Sequence, residues 1–228
     1  MKLSLIIPVY NEASRFRAGI KLALDYLQSQ FYSWEVIVVD DGSNDNSTST
    51  INKANTHVIR TGKNFGKGHA IKIGVEAAAG EYIVFSDIDF SVSLIYLPKF
   101  LSALKSSDIA IGSRRLPQSH IAHHQDYLRE SLGRGFTGLS NLILGLNHTD
   151  LTCGFKGFKR SVAQKLFSLQ KLNRWAFDSE ILFLAKKLGL RVTEIPVSWS
   201  NDPQTKVKLF QDTLTSLVAL FQIRLIYL

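Results

Sequence analysis

The feature that most constrains this chain is a series of short apolar runs, several of which end directly in acidic residues. Leu3–Val9, Trp34–Asp40, His57–Arg60, Tyr82–Ser86 and Ile109–Gly112 are short and mostly rich in Val, Ile and Leu. Runs of that length and composition read as strands buried on both faces of a mostly parallel sheet. Between them, the pattern predicts helices over Glu12–Gln30, Asn46–Asn55, Lys67–Ala79 and Leu94–Leu104. Gly66 and Gly68 open the third of these and Gly80 closes it. Strand and helix in alternation define an α/β domain with helices on both faces of the sheet.

Such a sheet binds ligands beyond the carboxyl ends of its strands. After the first strand stands Pro8-Val9-Tyr10-Asn11-Glu12, at the end of the second Asp40-Asp41-Gly42-Ser43, and after the fourth Asp87-Ile88-Asp89. Acidic residues at three strand ends converge on one crevice. Asp87 and Asp89, one residue apart, can share a hard cation that keeps positions open for diphosphate oxygens. Asp40 and Asp41 can accept hydrogen bonds from a base or ribose, while Ser43, Asn44 and Asp45 are equally good helix caps. The run Lys63-Asn64-Phe65-Gly66-Lys67-Gly68-His69 is glycine-rich and basic but is not a P-loop. Lys67 at a helix start is placed to touch phosphate.

The second half is less regular. It reads as a polar loop (Leu116–Gln125), a helix from Tyr127 to Leu144, a strand at Leu151–Phe158, helices at Val162–Phe167 and Phe177–Leu188, a strand at Arg191–Val197 and a loop ending near Lys208. Leu209–Leu228 is strongly apolar yet interrupted by Gln211, Asp212, Gln222 and Arg224. We therefore divide the chain into an α/β domain, 1–208, and an apolar or amphipathic membrane-proximal helix, 209–228, which lies in a bilayer interface or packs on the domain.

A length of 228 residues suits one large domain with an appended segment. The formal charge of +8 favours anionic partners such as nucleotides, phosphorylated lipids or a membrane surface. Nucleic acid is disfavoured, because no aromatic-rich basic strand or Cys/His spacing supports it. Cys153 is the single cysteine, so no internal disulfide forms and a reducing, cytoplasmic compartment is expected. No stretch of about 20 residues is free of charge, which argues against a clean membrane-spanning helix.

Taken together in order and spacing, Ile7-Pro8-Val9-Tyr10-Asn11-Glu12, Val39-Asp40-Asp41-Gly42-Ser43, Asn64-x-Gly66-Lys67-Gly68 and Asp87-x-Asp89 resemble the family 2 glycosyltransferases of GT-A fold. Gly112-Ser113-Arg114, Asp150-x-x-Cys153-Gly154-Phe155-Lys156 and Arg174-Trp175-Ala176-Phe177-Asp178-x-Glu180 look like the dolichyl-phosphate glucosyltransferase branch. The resemblance implies inverting transfer of a hexose, UDP-glucose favoured, to a polyprenyl or dolichyl phosphate. It implies that Pro8, Tyr10, Glu12 and Asp40 hold the nucleoside, with Asp41 and Lys67 beside it. Asp87 and Asp89 would bind Mg2+ or Mn2+ with the diphosphate, and Arg114, Arg129 and Arg134 would receive the acceptor phosphate. Asp178 and Glu180 would position the donor sugar or support the site. Ser91 stands where some mannose-transferring relatives place a metal-ligating glutamine, a departure that fits the glucosyl branch.

A phosphate monoester is already an anion, so such an acceptor relaxes the need for a general base. His120, His123 and His124 have a spacing that can ligate a metal, but a mobile loop over the acceptor entrance is the better reading of that segment. The rival readings are a family 2 enzyme using GDP-mannose or a polysaccharide acceptor, and a non-enzymatic module binding anionic ligands. The enzyme reading places the protein at the cytosolic face of a membrane, peripherally, with a separate membrane protein as a further candidate anchor.

Overall fold

The computed structural model describes residues 1–48, 51, 53–202 and 209–227. Among the described residues, nine strands and seven α-helices follow in chain order: β1 Leu3–Val9, α1 Ala13–Gln28, β2 Trp34–Asp40, β3 Thr56–Arg60, α2 Lys67–Ala77, β4 Tyr82–Phe85, α3 Leu97–Ala103, β5 Ile109–Ser113, β6 His120–His123, α4 Tyr127–Leu144, β7 Lys156–Lys159, α5 Arg160–Leu169, α6 Phe177–Lys187, β8 Val192–Pro196, β9 Ser198–Ser200 and α7 Leu209–Ile226. One seven-stranded sheet has the order β3-β2-β1-β4-β7-β5-β8, and β6 pairs with β9 in a small second sheet. Within the large sheet β7 runs antiparallel to β4 and β5, and the other pairings are parallel.

The period of two along a strand explains the layering. Leu3, Leu5, Ile7 and Val9 of β1 face one apolar cluster, where Phe16, Ile20, Leu24 and Leu27 of α1 cover them. Ile6 points the other way, with Ile37, Val39 and Phe85, into a second cluster covered by α2, α5 and α6. Burying each such side chain stabilises the fold by about 1.5–3 kcal/mol before conformational entropy is counted. The strand order reverses around β1, which separates β2 from β4 and opens a crevice at their carboxyl ends.

Several expectations are corrected. The helix expected over Asn46–Asn55 does not form among its described residues, which make turns; residues 49, 50 and 52 lie outside the description. The side chains of Ser47 and Thr48 bond to Asp45 and Asp40, and Asn46 is left-handed (φ 57°), so local polar bonds replace helical ones. Gly80 is not the helix cap: Ala78 follows α2 directly, and Gly80 instead donates its N–H to Ser4 Oγ at 2.8 Å. The polar loop contains a strand, β6, which pairs in parallel with β9, itself beyond the strand end expected at Val197. The strand expected from Leu151 begins only at Lys156, because the residues before it turn around the Arg114 and Asp87 side chains. The loop expected to end near Lys208 lies outside the described residues from 203 to 208.

The C-terminal helix α7 is docked on the domain. Leu220 and Ile223 enter the same core cluster as Leu144 and Leu182, and α7 packs on α4 and α6. Its opposite side is also apolar: Leu214, Val218, Phe221 and Leu225 are exposed at helical spacing. The helix is therefore apolar on two sides. Among the described residues no helix is long and apolar enough to cross a membrane.

Candidate active site at the carboxyl ends of the sheet

Asp87 and Asp89 follow β4 directly and line a cleft with Ser86, Ser91, Gly154 and Trp199. Lys67 Nζ lies 2.5 Å from Asp87 Oδ1, and Arg15 Nη1 lies 3.7 Å from Asp89 Oδ2. Ser91 donates its N–H to Asp89 Oδ1 at 2.9 Å. Burial, and then the neighbouring Asp87 charge, push the Asp89 carboxyl above the usual carboxylate range. Phe90, between this pair and Ser91, holds φ at +46°, a conformation uncommon for a bulky residue. Gly154 is required for the cleft, since a Cβ there would stand 2.1 Å from Asp87 Oδ2.

These residues fit a divalent cation. Two like charges are brought together in a desolvated cleft and are relieved by Lys67 and Arg15, so a cation there replaces existing charge compensation. Among the described residues no third His, Cys, Asp or Glu completes a protein-only metal group. Two carboxylates are what a cation with positions left for ligand oxygens needs.

Around the first two strand ends, most of the expected nucleoside contacts already have protein partners. Pro8 and Tyr10 are half-buried, and Asn11 turns the chain with φ at 53°. Glu12 grips Arg15 through both oxygens, at 2.5 and 2.9 Å. Asp40 accepts the Ser43 N–H at 2.8 Å and the Thr48 hydroxyl at 2.6 Å. Asp41 accepts the N–H groups of Phe65 and Gly66, at 3.1 and 2.6 Å, and the Thr61 hydroxyl. Asp41 thus holds the glycine-rich loop in place, and Gly66, with φ at 115°, lets that loop pass against the Asn173 carbonyl.

On the other side of the cleft lies a cluster of arginines. Arg114 makes a two-pronged pair with the fully buried Asp150, at 2.6 and 2.9 Å, and also donates to Thr152 Oγ1. Burial and the Arg114 charge both pull the Arg129 guanidinium below its usual value, which places the two within electrostatic reach. Arg115 donates to the Thr149 carbonyl and feels Arg114 and Arg134. Arg134 is exposed and pairs with Glu130 at 2.6 Å.

Asp178 and Glu180 separate, because two positions along a helix face different ways. Asp178 accepts a bond from the buried Lys156 Nζ at 2.7 Å, and that ammonium also donates to the Cys153 carbonyl. Burial raises the Asp178 carboxyl, against the pull of Lys156 and Lys67. Glu180 is turned into the core, which leaves it the supporting role rather than the sugar-positioning one of the two expected for it. It accepts the N–H groups of Lys171 and Leu172 and the Tyr227 hydroxyl, at 2.8, 2.9 and 2.6 Å. His123 and His124 bond to Ser200 and Glu130 respectively.

Sequence reasoning missed Arg15, Arg115, Lys156 in its pairing role, and Trp199. Arg15 carries a usable signal, because it lies one helical turn from Glu12. Arg115 adjoins Arg114. Trp199 carries none, since its place depends on β9 pairing with β6.

The mostly parallel sheet thus sets paired aspartates at its switch point and a group of arginines around one cleft. The family model described as "Glycosyl transferase family 2" matches residues 4–167. The dolichyl-phosphate beta-glucosyltransferase of Drosophila melanogaster is 33% identical over 247 residues, covering 100% of this chain and 76% of that protein. The Homo sapiens protein of the same name is 33% identical over 246 residues, with the same coverage of 100% and 76%. Among solved structures, glucosyl-3-phosphoglycerate synthase from Mycobacterium tuberculosis, in complex with Mn2+, UDP and glucosyl-3-phosphoglycerate, aligns with a TM-score of 0.75 at 17% identity, over 98% of this chain and 79% of that one. The chain belongs to glycosyltransferase family 2.

Proposed function

We propose that this enzyme transfers glucose from UDP-glucose to dolichyl phosphate or another polyprenyl phosphate, with inversion at the anomeric carbon. The observation that carries the reading is the distribution of charge around one cleft. The described carboxylates near it are already engaged: Glu12 with Arg15, Asp150 with Arg114, and Asp178 with Lys156. Asp87 and Asp89 are placed for a cation. A sugar hydroxyl would need a base to take its proton, whereas a phosphate arrives ionised and needs only to be drawn in and oriented. Arg114, Arg115 and Arg129 suit that task, because the guanidinium fork matches phosphate oxygens. The relatives' name, dolichyl-phosphate beta-glucosyltransferase, at full coverage of this chain supports the same donor sugar and acceptor.

Pro8, Tyr10 and Asp40 would cradle the nucleoside, with Lys67 near the diphosphate. Asp87 and Asp89 would hold Mg2+ or Mn2+, which when bound neutralises charge on the departing nucleoside diphosphate. Solved structures of the Mycobacterium tuberculosis synthase with Mn2+ and UDP-glucose bound support that choice.

The exposed stripe Leu214, Val218, Phe221 and Leu225 on α7 supports attachment to a membrane surface, where a lipid-linked acceptor would reside; the cytosolic face is the side we propose. A separate membrane protein seated on the same stripe is the alternative reading.

Transfer of labelled sugar from a panel of UDP- and GDP-sugars to a short polyprenyl phosphate tests the proposal. Metal-dependent product from UDP-glucose, lost in Asp89→Ala, is expected. Product from GDP-mannose alone, or donor cleavage without lipid product, would reject it. Retained anomeric configuration by NMR would reject the inversion.

A further inference from the structure

Trp199 stands between the two charged clusters. Trp199 is one of the residues lining the cleft that holds Asp87 and Asp89, and the Arg114 guanidinium carbon lies over its ring, 5.4 Å from the centroid. One residue thus belongs both to the acidic cleft, where a leaving diphosphate would sit, and to the basic side, where an attacking phosphate would sit. In a displacement reaction the transferred group lies between those two positions.

We infer that Trp199 is the platform for the pyranose ring of the donor, and this rests on the donor reading above. One face of a pyranose presents mainly C–H groups, which pack well on an aromatic ring whose π face is electron-rich. An indole also brings large area with few rotatable bonds, so it fixes a sugar at low entropic cost.

The ring is held where such a platform must be held. Ser198 donates its N–H to the Tyr96 hydroxyl at 2.8 Å, and that hydroxyl donates to Ser198 Oγ at 2.9 Å. On the other side Ser200 donates its N–H to the Ser91 carbonyl at 3.0 Å, and Trp199 itself bridges to Val92. The backbone on both flanks of Trp199 is therefore tied to the segment that follows Asp89. A tryptophan serving the core alone would be buried, whereas Trp199 keeps part of its surface exposed. The platform and the cation site move as one body, and that rigidity is what a sugar-positioning group requires.

The test compares wild type, Trp199→Ala and Trp199→Phe in two measurements on the same preparations. One is kcat/KM for glucosyl transfer from UDP-glucose to a polyprenyl phosphate with Mn2+; the other is the affinity for UDP, which lacks the sugar, by calorimetry. Trp199→Ala is expected to lose about 10²-fold in kcat/KM while UDP affinity stays within about twofold, and Trp199→Phe to recover most of the loss. Transfer by Trp199→Ala within about twofold of wild type would overturn the inference, as would a loss of UDP affinity in proportion to transfer, which marks a structural role. If the wild type makes no glucosylated lipid, the acceptor reading fails by itself. The difference between UDP-glucose and UDP affinities then decides about Trp199, and an equal difference in wild type and Trp199→Ala overturns the platform.

Discussion

Arg114 and Asp150 form an ion pair at the rim of the cleft, with Nε and one Nη donating to the two oxygens of a carboxylate that has no exposed surface. Burial alone would raise the Asp150 carboxyl, but the Arg114 guanidinium more than cancels this and holds it at about 2. The same carboxylate keeps Arg114 charged despite its own burial. Arg114 therefore has a structural duty as well as an acceptor-side position.

The sign of the pH effect follows. Asp150 titrates at a lower pH in the folded protein than its ordinary value of 3.8. Its contribution, about 2 kcal/mol, is complete above about pH 4 and is lost as pH falls through about 2. Asp150→Ala leaves Arg114 buried without its partner and should cost about 3–5 kcal/mol. Urea denaturation of both proteins at neutral pH, and of the wild type down to acid pH, measures this.

Lys156 and Asp178 make a second test of the same physics. Lys156→Met removes an ammonium that lies over the Phe85 ring, strands the buried Asp178 carboxylate and should destabilise by about 3–5 kcal/mol, whereas Lys156→Met with Asp178→Leu should recover most of that. A double variant no more stable than the single one in urea would show that the pair is not the cause.

Arg129 offers a cleaner probe of the acceptor side than Arg114. Arg129→Ala should raise KM for the polyprenyl phosphate about tenfold, with stability changed by less than about 1 kcal/mol and UDP affinity unaltered. An unchanged lipid KM would place the acceptor phosphate elsewhere.

The outer stripe of α7 can be separated from its inner one. Phe221 and Leu225 are 58% and 70% exposed, whereas Leu220 and Ile223 are fully buried. Phe221→Asp with Leu225→Asp should abolish sedimentation with phospholipid vesicles and leave the melting temperature within a few degrees, because exposed changes cost about 0.5 kcal/mol or less. Retained vesicle binding would assign the stripe to a protein partner.

The strands β1, β2, β4 and β5 were legible because a strand buried on both faces must be apolar at nearly every position, and Leu3–Val9 and Trp34–Asp40 leave no other reading; β7, Lys-Gly-Phe-Lys, carries no such signal. The strand-end acids were legible because the position follows from the strand. Local polar chemistry was harder: Asn46, Ser47 and Thr48 support either a helix cap or a web of side-chain bonds, and the partner Asp40 lies beyond their own turn. Glu180 shared a motif with Asp178, but which way each faces depends on where α5, α6 and the C-terminal Tyr227 meet.

By itself the sequence determined the layered α/β class, the crevice and its paired aspartates, because burial periodicity and strand ends are properties of short stretches of chain. Only the tertiary structure decided which charges are spoken for. Arg15 reaches Asp202, Arg114 reaches Asp150, and Trp199 arrives beside Asp89, each across a long span of chain. Such pairings rest on the closing of distant segments around a common core, and short stretches of sequence carry no record of that geometry.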